Sequence, residues 1–374
     1  MIRIADHGAQ AAISTAAAAR PTMIAQNRWQ ETTVFPKNLW YVAAWPHEVA
    51  DRPLARTLLG EAVVLFRGAD GCVAALEDRC VHRSMPLSNG EVQEGQLVCP
   101  YHGLVYDTSG RCVHIPAQDS IPAAAAVRRF PVVERDGAVW IWMGDAERAD
   151  PALLVPYPFH GAGSGWAHQT GYSHVDCEAG LVSDNLLDLT HIGWVHRKTI
   201  GGNAAANARA QVKTEREGDH VRVRRFLLDS PPPPTYVRAV GFQGRIDRWM
   251  EIDFAPGVVR IYTGANDAGR GVDEAGRMDT FGARVFNGIT PETAHSTHYF
   301  WSAAHNFRID EPAVTEAFYQ EVVATFAEDK VVMEAQYRRM RQYPDAPRID
   351  IASDTGGVQA RRVMAARLAA ERAG

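Results

Sequence analysis

Up to about residue 150 the apolar residues come in short runs cut by glycine, proline and aspartate. LWYVAAW (39–45), ARTLLGEAVVLFRG (55–68) and CVAALEDRC (72–80) have the β-branched and aromatic content of strands, with turn residues between them. LVYDTSGRCVHIP (104–116) reads as a hairpin turning at Ser109-Gly110, with His114 a structural or surface residue. AVWIWM (138–143) reads as a strand closing a small barrel, its aromatics filling the interior. The proline-rich stretch 151–158 marks a boundary. Beyond it the pattern predicts a helix over 179–195, a flexible Gly/Ala/Asn loop over 201–210, and strands over 221–227, 244–254, 258–264, 280–288 and 296–306. Residues 231–234 form a stiff polyproline connector, and the polar stretch 267–278 reads as an exposed hairpin loop. Asp310-Glu311-Pro312 opens a long helix running to about residue 341, and a basic amphipathic helix follows over 357–372. The pattern describes an α+β chain. Residues 1–30 are a mobile extension or an over-long start (Met23 being the other initiator), 31–150 an all-β domain, and 151–374 a domain of antiparallel sheet with helices.

The length of 374 residues suits two domains or one large one, not a lone carrier domain. A net charge of −5 offers no concentrated basic face, so no nucleic-acid partner is expected. No run approaches the ~18–20 apolar residues of a membrane span, and the Ala-rich stretch 11–19 lacks the Leu, Val or Phe of an export signal. A cytoplasmic protein without membrane contact is expected, the last helix serving to pack. Five cysteines without a dense framework argue against a secreted disulfide scaffold. Cys72, Cys112 and Cys177 are expected to be buried small hydrophobes.

The remaining two cysteines change the picture. Cys80-x-His82 is followed downstream by Cys99-x-x-His102, so two thiols and two imidazoles arrive in two mixed pairs. Zinc fingers usually pair Cys with Cys and His with His. Mixed pairs suit a binuclear iron–sulfur centre in which cysteines hold one iron and histidines the other. Neutral imidazoles replace anionic thiolates there, which raises the reduction potential. Pro100 stiffens the second turn and Gly103 allows close backbone approach.

A second cluster lies in DNLLDLTHIGWVH (184–196). His191 and His196 are five apart, which on a regular helix separates them by about 140°. Converging both on one ion requires the helix to loosen, and Gly193 lies where it would do so. Asp188, three residues before His191, shares its face, so its carboxylate is expected to hydrogen-bond the imidazole. Two histidines with open positions suggest non-haem Fe(II), completed by a carboxylate that the spacing does not identify.

The pair CVH and CPYHG resembles the signature of Rieske [2Fe–2S] domains, although Leu104 stands where many oxygenase motifs have Trp. With Asp-x-x-His-x4-His downstream, the chain from about Asn38 onward is similar to Rieske non-haem iron oxygenases. The resemblance implies an N-terminal all-β Rieske domain and a helix-grip-like catalytic domain. It implies a [2Fe–2S] cluster on Cys80, His82, Cys99 and His102, with Tyr101 and Ser84 the hydroxyl candidates near its sulfurs. It implies mononuclear Fe(II) on His191, His196 and an acid from FAEDKVVMEAQ (326–336): Asp329, with Glu328 the fallback. Asn185 would lie near the iron without ligating it. Asp188 would bridge His191 to His102 of a neighbouring subunit in a head-to-tail homotrimer. The implied partners are O2, a small aromatic substrate and an NAD(P)H-dependent reductase, with or without a ferredoxin.

YHGL, DNLLDLTHIGWVH, TPETAHSTHYFW and EDKVVMEAQ are most similar to the vanillate/dicamba O-demethylase subgroup. Monooxygenation of a methoxylated aromatic acid is therefore the expected reaction. Hydroxylation of an aryl methyl or N-methyl group, and ring cis-dihydroxylation, are the enzyme alternatives; a Rieske electron carrier is the non-enzyme one. An aromatic acid wants a cation or donors in its pocket. Arg245, Arg248, Arg260, His298 and Asn306 lie on the strands expected to form it, and period-2 alternation leaves Arg248 and His298 free to point either way.

Overall fold

The computed structural model describes residues 35–373 except 117, 162, 198, 202–203, 209, 274–276 and 278–279. The expected extension 1–30 and part of the expected loop 267–278 lie outside the described residues.

Three small antiparallel sheets make up the first part. β1 (Trp40–Ala44) pairs with β11 (Ala138–Trp142), and β11 with β10 (Val132–Arg135). β2 (Leu54–Leu58), β3 (Glu61–Arg67), β4 (Val73–Glu77) and β9 (Arg129–Phe130) form the second sheet. β5 (Glu91–Gln93), β6 (Gln96–Val98), β7 (Val105–Tyr106) and β8 (Cys112–His114) form the third.

Every residue of β1 and β11 is buried, which explains why LWYVAAW and AVWIWM lack polar alternation. Successive side chains point to opposite faces. Tyr41, Ala43, Val139 and Ile141 fill the interior with Val63, Leu65 and Phe130. Trp40, Val42, Trp140 and Trp142 point the other way, onto Val258, Phe286 and Phe300. The aromatics expected inside the small barrel thus form its contact with the following sheet instead. The three indole N–H groups end on main-chain carbonyls of Asp150, Arg135 and Asp145, so each buried donor is paired. Truncating Trp140 to alanine would cost about 3–5 kcal/mol.

That following sheet has seven strands: β12 (Ala167–Val175), β13 (Gln211–Glu217), β14 (His220–Ser230), β15 (Ile246–Ala255), β16 (Val258–Asp267), β17 (Phe281–Thr293) and β18 (Ser296–His305). Their order is β12-β18-β17-β16-β15-β14-β13, antiparallel throughout. β12 and β13 were not expected from the pattern; they are the two edges, and edge strands carry mixed burial instead of a clean apolar face. One side of the sheet meets the tryptophans of β1 and β11. The other carries Val223, Met250, Ile252, Ile289 and Trp301 against the helices. Gly171 in β12 lies opposite Trp301 in β18, and a Cβ at Gly171 would come within 2.2 Å of the indole. The glycine is a seat for the ring.

The expected helix 179–195 is two helices, α1 (Ala179–Leu187) and α2 (Ile192–Val195), because Asp188 is extended at φ −111, ψ 97. The break therefore falls before His191 and not at Gly193. Gly193 has another use: a Cβ there would sit 2.6 Å from Ala204 Cα, so the glycine lets α3 (Ala204–Ala208) pack closely. That single turn lies within the expected loop 201–210, where Asn207 donates to the Gly201 carbonyl at 2.6 Å. α4 (Pro234–Val240) begins on the polyproline stretch. α5 (Pro312–Gln342) buries Val322, Thr325, Asp329, Met333 and Tyr337 in one stripe at helical spacing. α6 (Thr355–Ala373) packs through Gly356, Gly357, Ala360 and Val363, and its Glu371 carboxylate accepts the main-chain N–H groups of Lys37 and Asn38. No helix among the described residues is long and apolar enough to cross a membrane. Cys112 and Cys177 are buried as expected, but Cys72 is exposed on a turn.

Candidate metal centres

The first centre is built by two turns of the same design. The amide of Cys80 donates to the carbonyl of Met85, and the carbonyl of Cys80 accepts from Ser84. The amide of Cys99 likewise donates to Leu104, and its carbonyl accepts from Gly103. Ser84 (φ 53) and Gly103 (φ 70) occupy the same place in the two turns, both in the left-handed region. Cys80 and Cys99 are 1% and 2% exposed, and burial together with the neighbouring Cys80 thiol pushes the Cys99 thiol up. His82 and His102 face solvent with ring centroids 4.5 Å apart. Desolvation and the neighbouring His82 and Arg83 lower the pKa of His102, favouring the neutral, ligating form of its imidazole.

The hydroxyl at the sulfurs belongs to neither expected residue. Tyr101 is 59% exposed and lies over the His102 ring at 3.8 Å. Ser84 serves the turn through its backbone. Buried Tyr106 instead sits 3.2 Å from Cys80 Sγ and accepts the Val81 amide at 3.3 Å, which leaves its own proton for the sulfur. Its only trace in the sequence is a tyrosine in the apolar position of a short strand. Two adjacent thiols inside and two adjacent imidazoles outside are the donor set that a mixed-ligand [2Fe–2S] cluster needs.

The second centre joins α1, α2 and α5. Nδ1 of His191 donates to the Asp188 main-chain carbonyl at 2.6 Å. Nδ1 of His196 donates to Glu328 at 2.7 Å. With both Nδ1 atoms engaged, both Nε2 atoms turn toward Asp329 Oδ1, 3.4 Å from His191 and 3.1 Å from His196. The three ligand atoms lie within 4.8 Å of one another. Burial would raise the Asp329 carboxyl, but the two imidazoles beside it outweigh that and hold it at about 2. Asn185 donates to the same Oδ1 at 3.1 Å. Two imidazoles and one carboxylate converging from one side fit a mononuclear non-haem iron.

Glu328, the fallback acid, holds His196 from behind at Nδ1. One expectation changes here. The Asp188 carboxylate does not hold His191; it accepts the Thr190 amide and hydroxyl, both at 2.9 Å, with Ser353 Oγ at 3.4 Å. The extended backbone at Asp188 aims the carbonyl at the ring and swings the carboxylate toward Thr190.

Of the expected substrate residues, only Arg248 lies on the helix-facing side of the sheet. It is 3% exposed, packs over Tyr236 at 4.8 Å and donates to the Ile200 carbonyl. Arg260 points to the opposite face, where it pairs with Asp253 and donates to Pro156. His298 is on that face too, bonded to the Thr57 carbonyl and the Tyr172 hydroxyl. Asn306 bridges Gly282 and Thr280 at the sheet end, and exposed Arg245 pairs with Asp229. Arg225, which the sequence reading did not single out, shares that face with Arg248, in the buried register of Val221, Val223 and Leu227. An arginine in an apolar slot of an alternating strand was the available signal.

A Rieske [2Fe-2S] domain model matches residues 39–131, and the vanillate O-demethylase oxygenase C-terminal domain matches residues 175–370. The toluene-4-sulfonate monooxygenase system iron-sulfur subunit of Comamonas testosteroni is 40% identical over 346 residues, 91% of this chain and 99% of that protein. A vanillate O-demethylase oxygenase subunit from a Pseudomonas species is 40% identical over 90% of this chain and 96% of its own length. The crystal structure of dicamba monooxygenase bound to 3,6-dichlorosalicylic acid matches with a TM-score of 0.86 at 33% identity, covering 91% of this chain and 99% of that one. A Rieske domain followed by a sheet-and-helix domain with a His/His/Asp cluster defines the terminal oxygenase component of a multicomponent system. This chain belongs to the vanillate O-demethylase oxygenase family of Rieske non-haem iron oxygenases. Its cofactors are a [2Fe–2S] cluster and a mononuclear iron.

Proposed function

We propose that this oxygenase component acts on an aromatic acid by monooxygenation, removing an O-methyl group. The observation that carries the reading is the convergence of His191, His196 and Asp329 in the same chain as the Cys80/His82/Cys99/His102 loops. The cluster, when bound, supplies single electrons, and the mononuclear iron supplies O2 activation.

The protein's own part is orientation. The Asp188 carbonyl and Glu328 fix the ligating tautomers of His191 and His196, and Asn185 steadies Asp329. Asp188 keeps acceptor capacity beyond Thr190 and Ser353, and exposed His102 has a nitrogen to offer. These two groups meet across subunits in a head-to-tail homotrimer, with Asp188 accepting from His102 of a second copy. An NAD(P)H-dependent reductase, with or without a ferredoxin, is the electron source, and the enzyme works in the cytoplasm.

Hydroxylation of an aryl methyl group is the second reading, favoured by the similarity to the toluene-4-sulfonate subunit. The test is a turnover screen of methoxy-, methyl- and N-methyl-aromatic acids with a surrogate reductase. Formaldehyde release is expected from the methoxy acids. Hydroxymethyl products alone would replace demethylation by the second reading, and cis-diols alone would overturn both.

A further inference from the structure

We propose that Arg225 and Arg248 form an anion-binding subsite, which takes the sulfonate or carboxylate of an aromatic substrate. This deepens the aromatic-acid reading above and rests on it for the location of the ring.

The two arginines belong to adjacent strands. Arg225 of β14 lies opposite Met250 of β15, and Arg248 lies opposite Leu227, so the guanidiniums spring from diagonal positions on one face. That face is the one packed against the helices that carry the iron residues. Both side chains are almost fully buried, at 2% and 3% exposure. Each is fastened by one donor to a carbonyl of the segment following His196, Arg225 to Asn207 at 2.7 Å and Arg248 to Ile200 at 3.3 Å. That segment is tied to the iron site, since the Gly201 amide donates to the His196 carbonyl at 2.9 Å. The arginine pair and the iron residues therefore flank one piece of chain.

The remaining donors are what call for a ligand. Nε and Nη1 of Arg225 and Nε of Arg248 are buried without a hydrogen-bond partner. Buried unpaired donors on charged groups are costly and rare. Burial pushes the Arg225 guanidinium down to about 10; the Asp188 charge opposes that shift and Arg248 reinforces it. Two like charges held side by side in an apolar layer are stabilised by a shared anion. Guanidinium forks match the paired oxygens of a carboxylate or sulfonate. The Tyr236 ring beneath Arg248 adds an aromatic wall. A purely structural role, pinning Ile200 and Asn207 through their carbonyls, is the competing account, and it predicts no preference between charged and neutral ligands.

The full-length, iron-loaded protein is tested by equilibrium dialysis against toluene-4-sulfonate, 4-methoxybenzoate and the uncharged 4-methoxybenzamide. Wild type is expected to bind at least one anion roughly tenfold or more tightly than the amide, and the stronger anion tells sulfonate from carboxylate. Arg248→Met and Arg225→Met are expected to erase that preference while leaving amide binding and the cluster spectrum unchanged. Equal binding of both anions and the amide by wild type overturns the proposal, and needs no variant to fold. Equal loss of anion and amide binding in both variants, with cluster and iron retained, overturns it in favour of pinning. Selective anion binding without any oxygenated product supports the subsite while sinking the aromatic-acid oxygenase reading.

Discussion

His191 gives its Nδ1 proton to the main-chain carbonyl of Asp188, 2.6 Å away, and leaves that residue's carboxylate to Thr190. The ring's orientation thus depends on backbone, and the side chain of Asp188 is free for another task. Replacing Asp188 by Ala is expected to leave mononuclear iron bound while slowing turnover roughly 10- to 100-fold. Iron content alongside the rate of cluster reoxidation with substrate and O2 checks this. A variant that has lost its mononuclear iron would show that the carboxylate supports the ligand after all.

Glu328 stands behind His196 as a carboxylate behind an imidazole, the arrangement that fixes tautomer and strengthens a metal ligand. Glu328→Ala should weaken Fe(II) binding roughly 10- to 100-fold without altering the cluster. Chelator competition measures it. Unchanged affinity would reduce Glu328 to a surface acid that happens to lie nearby.

Tyr106 donates to Cys80 Sγ, and a proton at that sulfur favours the more negative, reduced cluster. Tyr106→Phe should therefore lower the reduction potential. A hydrogen bond of about 1 kcal/mol corresponds to roughly 40 mV for one electron. Redox titration of the purified protein decides, and a potential equal to or above the parental one contradicts the assignment.

His160 joins the two parts of the fold: its ring nitrogens contact the Asp136 carbonyl at 2.8 Å and Ser302 at 2.6 Å, and the ring stacks on His168. Burial holds its pKa at about 4. An unfolded histidine titrates near ~6.5, so on acidification the unfolded state takes up the proton first. The contribution to stability is complete above about 6.5 and is lost as pH falls from there toward about 4. Denaturation midpoints followed through that window should decline, and His160→Gln should flatten the decline. An identical slope in the variant would remove His160 from the explanation.

The candidate metal ligands stand out in the sequence because their spacing is local. Cys80-x-His82 and Cys99-x-x-His102 each lie within one turn, and the two histidines of the second site lie within six residues. Asp329 needed the resemblance, since nothing local separates it from Glu328; in the structure the separation is about 100° around α5, one carboxylate in the buried stripe and one beside it. Strand order within the large sheet and the two edge strands were not legible, because burial at an edge is set by what packs on it. The outward tryptophans of β11 were misjudged for a related reason. A strand buried on both faces looks the same whichever face holds the larger residues. Arg260 and His298 fell to the same ambiguity, since alternation gives two faces without naming them.

The paired turns that carry Cys80 and Cys99 put sulfur inside and imidazole outside. The cluster is thereby sheathed like a wire bared at one end. Charge then has one doorway on this face, and in the proposed trimer the reductant that delivers an electron and the neighbouring subunit that takes it away would use the same few square ångströms of surface in turn.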